Sequence, residues 1–134
     1  MSFDPSLIFN VRRQLNDVPE DFLTDEAIFQ ALRQADAYLG LIVIDELDDT
    51  YRNHCLVLLA SYFAYSIYVS SVERGLGSIP AASEVRLRHL QKLAYTAIRP
   101  VAKIPIREDL TIDTDALADA RPAVASLTES VLDG

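Results

Sequence analysis

The hydrophobic positions of this chain fall into three helical stripes, one unbroken apolar run and one short alternating stretch. Leu7, Ile8, Val11 and Leu15 repeat at helical spacing, and Ile28, Leu32, Ala35, Leu39 and Ile42 repeat at steps of four and three. Leu87, Leu90, Ala94, Ala97, Ile98 and Val101 form a third stripe. Between the second and third stripes, residues 55–72 (CLVLLASYFAYSIYVSSV) pass eighteen positions without a charge. In residues 103–113 (KIPIREDLTID), Ile104 and Ile106, then Leu110 and Ile112, alternate with polar neighbours, the only strand-like pattern in the chain.

Local signals set the expected boundaries. Asp4 before Pro5 is a helix start, because the aspartate can accept from free amides and proline suits the first turn. That helix is expected to end near Asn16, and residues 16–22 (NDVPEDF) read as a turn around Pro19. Thr24 or Asp25 caps the second helix, and Asp25 and Glu26 sit where the helix dipole favours negative charge. Asp48 or Asp49 caps the third, which Gly75 is expected to close before a flexible connection over 75–82. Ser83 and Glu84 begin the fourth, and Pro100 should end or kink it.

The apolar run admits two readings, since about 17–25 residues suffice to cross a bilayer. Serines 61, 66, 70 and 71 scatter around the helix, and Tyr62, Phe63, Tyr65 and Tyr68 lie mid-run and not at its ends. Arg52 and His54 precede it and Glu73 and Arg74 follow, so no basic asymmetry sets an orientation. These features favour a helix buried in a bundle or an assembly. The expected fold is therefore all-α: a small helical bundle around a long central apolar helix (residues 1–102), followed by a short β-strand or hairpin segment and an extended C-terminal arm (103–134). A lone strand or hairpin is unstable in water, so this segment should pair with something, a neighbouring chain included.

With 134 residues the chain is long enough for its own core, and one cysteine, Cys55, excludes an internal disulfide. The start MSFDPSLIFN carries no secretory pattern, which gives a cytoplasmic address as the default expectation. A net charge of -8 disfavours nonspecific duplex binding. The charge is segregated along the chain: Arg86, Arg88, Lys92, Arg99, Lys103 and Arg107 occur with no acidic residue among them. Such a zone can steer partners or align identical subunits, positive face to negative face, or it can be a solvated helix face.

Candidate chemistry is sparse. Cys55 and His89, with an acid from residues 45–49, would be a nucleophile and base only if the fold joined them, and a cysteine in the most apolar segment is ordinarily a buried side chain. The acidic run Asp45, Glu46, Asp48, Asp49 lacks the ligand spacing and turn glycine of a calcium loop, and two histidines with one cysteine make no zinc pattern. Gly75 and Gly77 follow a helix and do not make a phosphate cradle. No catalytic, cofactor-binding or metal residue is assigned, and the chain is not expected to be an enzyme.

The succession FNVRRQLND, TDEAIFQALRQADAYL, CLVLLASYFAYSIYVSS and SEVRLRHLQKLAY, over residues 4–101, resembles the head-to-tail connector, or adaptor, proteins of tailed bacteriophages. The resemblance implies a structural virion protein made in the host cytoplasm. It implies a homo-oligomeric ring beneath the portal vertex, twelve-fold to match a portal. The implied partners are the portal protein, the next neck or tail-completion protein and DNA that passes through the channel without specific binding, with no membrane. By that resemblance the strand-like segment and the arm are assigned to intersubunit or portal contact. Together with the basic zone this gives Arg86, Arg88, Lys92, Arg99, Lys103, Ile104, Ile106, Arg107, Leu110 and Ile112 as candidate interface residues. The alternatives from the residues alone are a membrane-associated helical protein with a span at 55–72, and a small acidic regulator that binds a basic protein surface.

Overall fold

The computed structural model describes residues 4–43 and 47–119. Four helices make an all-α bundle: α1 (Pro5–Gln14), α2 (Asp25–Ile42), α3 (Asp49–Leu76) and α4 (Ala81–Ile98). A single 3-10 turn, Arg99–Val101, follows α4, and a short α5 (Thr114–Asp119) ends the described chain. The helix α3 lies at the centre, in contact with α1, α2 and α4.

The expected caps form at three helix starts. The Asp4 carboxylate accepts from the Ser6 amide at 2.9 Å, the Thr24 hydroxyl from Ala27 at 3.1 Å and the Asp48 carboxylate from Tyr51 at 3.4 Å. Two boundaries differ from expectation. Gly77, with φ 80°, and not Gly75, takes the left-handed position that closes α3, and its amide donates to the Glu73 carbonyl at 2.7 Å. Either glycine could stop the helix, but only one can occupy that backbone state while the turn closes. The helix α4 begins at Ala81, two residues before Ser83, because Pro80 stands at its N-cap position and leads directly into the first turn.

The core is continuous through the four helices. Val11 from α1, Ile28, Leu32, Ala35 and Ile42 from α2, Cys55, Leu59 and Ala60 from α3, and Ala94 and Ile98 from α4 are all fully buried. Ser61 is buried too, and its hydroxyl donates to the Val57 carbonyl one turn back at 2.7 Å, so a polar group in the apolar run costs little. Ser70 and Ser71 face solvent. At the C-terminal turn of α4, where Pro100 lacks an amide, the Ala97 carbonyl accepts from the Tyr51 hydroxyl and, at 3.9 Å, from the Cys55 thiol.

The strand or hairpin expected over 103–113 does not form; no strand occurs among the described residues. One antiparallel bridge joins Ile106 and Ile112, and the chain between them turns tightly, with Leu110 at φ 72°. The amide of Arg107 donates to the Thr111 carbonyl and that of Asp113 to the Pro105 carbonyl, at 2.8 and 2.9 Å. Nor does the segment wait for a neighbouring chain. Ile106 and Leu110 are 8% and 4% exposed in the core of this bundle, and the Lys103 amide donates to the Ile42 carbonyl at 2.9 Å. An alternation of apolar residues suits a looped chain that drops every second side chain onto a core as well as it suits a strand. Of the expected C-terminal arm, 114–119 is α5, and 120–134 lies outside the described residues.

Candidate interaction surface

Three clefts adjoin on one side of the bundle. The first, about 570 Å³, lies between α1 and α3, where Leu7, Asn10 and Arg13 face Asn53, His54 and Leu58. The second, about 400 Å³, shares His54 and Leu58 with it and continues between α3 and α4 over His89, Lys92, Leu93, Thr96 and Ala97. The third, about 350 Å³, shares Lys92 and Thr96 with the second and is closed by Arg88, Gln91, Tyr95 and Glu108. Together they form a trough with an aliphatic floor and a rim of Arg13, Arg88, Lys92 and two histidines, in which Glu108 is the one acidic lining residue described. In a chain of net charge -8 that is a local reversal of sign.

Helical spacing builds this trough. His54 and Leu58 lie four apart on α3, and His89, Lys92 and Thr96 lie three and four apart on α4, so each set shares a face. Neither histidine nor Arg13 is among the ten candidate interface residues, and the sequence offers His89 only as a base for Cys55. The available signal was this spacing, which acquires meaning only once α3 and α4 are known to be antiparallel neighbours.

The ten sequence candidates divide sharply. Arg86 is an internal tie: its guanidinium donates to the Gln14 carbonyl, sits 3.2 Å from Asp17 and stands 5.8 Å over the Tyr65 ring. Arg88 pairs with Glu84 one turn away at 2.8 Å, and Arg107 lies 3.8 Å from Asp113 and 3.7 Å from Asp115. Lys92 is exposed, Arg99 is exposed over the Tyr95 ring at 5.9 Å, and the Lys103 side chain is exposed. Ile104 and Ile112 are half-buried, whereas Ile106 and Leu110 are covered by this chain's own core and offer no contact surface. Three of the six basic residues are thus paired within the chain, by acids distant in sequence or just outside the zone. Only Arg88 and Lys92 of the ten line the trough.

The nucleophile pairing does not form. Cys55 is buried, its thiol turns to the Ala97 carbonyl and not to His89, and burial pushes its pKa up to about 11. An ordinary thiol in that state is inert at neutral pH. His89 is exposed and lies along the trough. Among the described residues no three His, Cys, Asp or Glu side chains converge as metal ligands. Of the acidic run, Asp48 caps α3, and Asp45 and Glu46 lie outside the described residues.

Large aliphatic and aromatic side chains also remain exposed at scattered points: Phe9, Leu41, Ile67, Leu76 and Val85 are each more than half accessible. The helix α3 is long and apolar enough to cross a membrane, with mean hydropathy 1.7 in its apolar window, of which 50% is buried within the chain. No protein-family model, curated protein or solved structure matches this chain.

Proposed function

We propose that the chain is a structural protein of a tailed-phage neck, a head-to-tail adaptor whose protomers form a ring on the portal vertex and continue the DNA channel. The observation that carries this reading is α3. Three helices of its own chain surround it, yet only half of its apolar window is fully buried, and Ile67 is 52% exposed upon it. An apolar spine that its own domain covers only in part is what a protomer keeps for identical neighbours, and head-to-tail contacts between unlike faces close into rings. The helix order that resembles the connector family supplies the identity of the ring. The net negative charge suits a conduit that must not hold passing phosphates.

Negative-stain imaging of the purified protein, with and without a portal, tests the reading directly: rings on the portal are expected. The charge reversal Arg88→Glu with Lys92→Glu should block neck assembly and leave the protomer helical. Arg86 is kept, since its bonds to α1 and to the following turn belong to the fold. Normal neck assembly by that double variant would sink the role given to the basic face.

One observation favours a second reading. The length and hydropathy of α3 also fit a membrane-associated protein. Flotation of detergent-free lysate separates the two, because a spanning helix carries the protein to the vesicle layer and a ring protomer stays behind.

A further inference from the structure

The trough on α1, α3 and α4 has an aliphatic floor, a basic rim and no segment of the described chain within it. We infer that it is the seat of this chain's own C-terminal segment, residues 120–134. Three observations converge on that occupant.

The first is where the described chain ends. Arg107 donates to the Thr114 hydroxyl at 3.4 Å and lies 3.7 Å from Asp115, so the start of α5 is fixed beside Glu108, the residue that closes one end of the trough. The six residues of α5 advance the chain by only about 9 Å at helical rise. The second is reach. Residues 120–134 can extend to about 50 Å, whereas a trough across three adjacent helices is about 20 Å wide at ordinary helix spacing. The third is chemistry. The segment carries Val124, Leu127, Val131 and Leu132 for an aliphatic floor, with Glu129 and Asp133 for the cationic rim. Within residues 120–134 these two carboxylates outnumber the one cation, Arg121, a sign opposite to that of the trough.

Tethering selects the segment of the same chain over that of a second copy. A short linker presents its ligand at roughly millimolar effective concentration, far above the free concentration of another protomer in dilute solution. The seat does not require a ring, so it stands or falls separately from the neck reading.

Thr96 lies on the trough and is exposed in the described chain, which makes it a reporter. In the full-length Thr96→Cys protein, thiol labelling should be about tenfold slower than at a control Glu26→Cys, the protection expected for a ~0.1 mM interaction at millimolar effective concentration. Cys55 stays silent, being buried with a raised thiol pKa. Replacing Val124, Leu127, Val131 and Leu132 by Ser in the full chain should restore fast labelling, and Lys92→Glu should restore part of it. Protection must also survive a hundredfold dilution of the protein. Equal rates with and without the four aliphatic residues would overturn the proposal, and protection that vanishes on dilution would overturn it in favour of a neighbouring copy.

Discussion

The central helix and the loop over 103–113 both bury aliphatic side chains in one core, but they satisfy their backbones in opposite ways. The helix α3 needs little from outside, because its amides and carbonyls pair within itself and its ends are closed by Asp48 and Gly77. The loop has almost no repeating structure, so each buried group is bound singly: Lys103 to Ile42, Asp113 to Pro105, Arg107 to Thr111, and the Leu110 carbonyl to the Tyr38 hydroxyl at 2.6 Å. Stability in α3 is therefore a matter of packing volume, and stability in the loop a matter of particular bonds. The two regions should fail under different perturbations.

The largest effect is expected in the helix. Leu59 is wholly buried at the centre of α3, and Leu59→Ala should cost about 2–5 kcal/mol, the transfer loss plus the cavity left behind. Denaturant titration followed by far-UV circular dichroism measures it. A loss under 1 kcal/mol would mean that the core around α3 is loosely packed, and the contrast with the loop would collapse.

The next test lies at Leu110, where side chain and backbone pull in opposite directions. The side chain is 4% exposed, so truncation loses burial, but the residue sits at φ 72°, a conformation that L side chains resist. Leu110→Ala should cost about 2 kcal/mol, since it keeps the strain and forfeits the contact. Leu110→Gly should be less damaging than the Ala variant by up to about 1 kcal/mol, because glycine takes that backbone state freely. In a helix the order would be reversed, with Gly worse than Ala by about 1 kcal/mol. The sign of the Gly-minus-Ala difference thus distinguishes a left-handed turn from any regular element at this position.

The same contrast explains what could be read in the sequence. The starts of α1, α2 and α3 were legible because a cap is a local event: Asp4, Thr24 and Asp48 each accept from an amide two or three residues on. The stripes of α2 and α4 and the central place of α3 were legible for a similar reason, as helical period and hydropathy are properties of short windows. The loop was not, since alternation at Ile104, Ile106, Leu110 and Ile112 says that every second side chain turns inward but nothing about what lies alongside. The candidate surface fared worst. Arg86 looked like a free cation, and its partner Asp17 comes from the turn after α1, 69 positions earlier by subtraction of the two numbers. The trough depends on His54 of α3 and His89 of α4 lining one cleft, which no window of one helix reveals.

A smaller effect should appear on the alkaline side. Burial, with a lesser push from Asp109, raises the Tyr38 hydroxyl from 10.0 to about 12, and burial raises the Cys55 thiol from 9.0 to about 11. Both groups stay protonated longer when folded. Their contribution is complete below pH 9.0 and is lost progressively as pH rises through 11 and then about 12. Tyr38→Phe should remove the upper part of that decline and, at neutral pH, cost about 1–2 kcal/mol by leaving the Leu110 carbonyl without its donor. Cys55→Ala should remove the lower part. Thermal melts of the three proteins between pH 8 and pH 12 separate the contributions, and an unchanged alkaline slope in Tyr38→Phe would refute the assignment.

The smallest effect compares one exposed carboxylate from each region. Asp4 caps α1, and its pKa is held below the ordinary carboxylate value by the Ser6 amide. Asp109 stands at the tip of the loop, lowered first by the Thr111 hydroxyl and amide and then by nearby Arg107. Both folded values lie below the unfolded one, so each contributes above the ordinary carboxylate range, and the contribution fades as pH falls through the depressed folded value. Solvent screens both groups, yet their consequences differ. Protonating Asp4 frays one helix turn whose neighbours remain packed. Protonating Asp109 removes the acceptor shared by both donors of Thr111, whose own carbonyl receives the Arg107 amide. In Asp109→Ala, which removes that acceptor together with the charge, the acid-side decline should shrink, and hydrogen exchange at Arg107 and Leu110 should quicken at neutral pH with α3 unaffected. In Asp4→Ala, by contrast, exchange should quicken only in the first turn of α1, whose amide loses its acceptor. Exchange that quickens equally in the loop and in α3 would show that the two regions open together, and the distinction between packing and single bonds would then be lost.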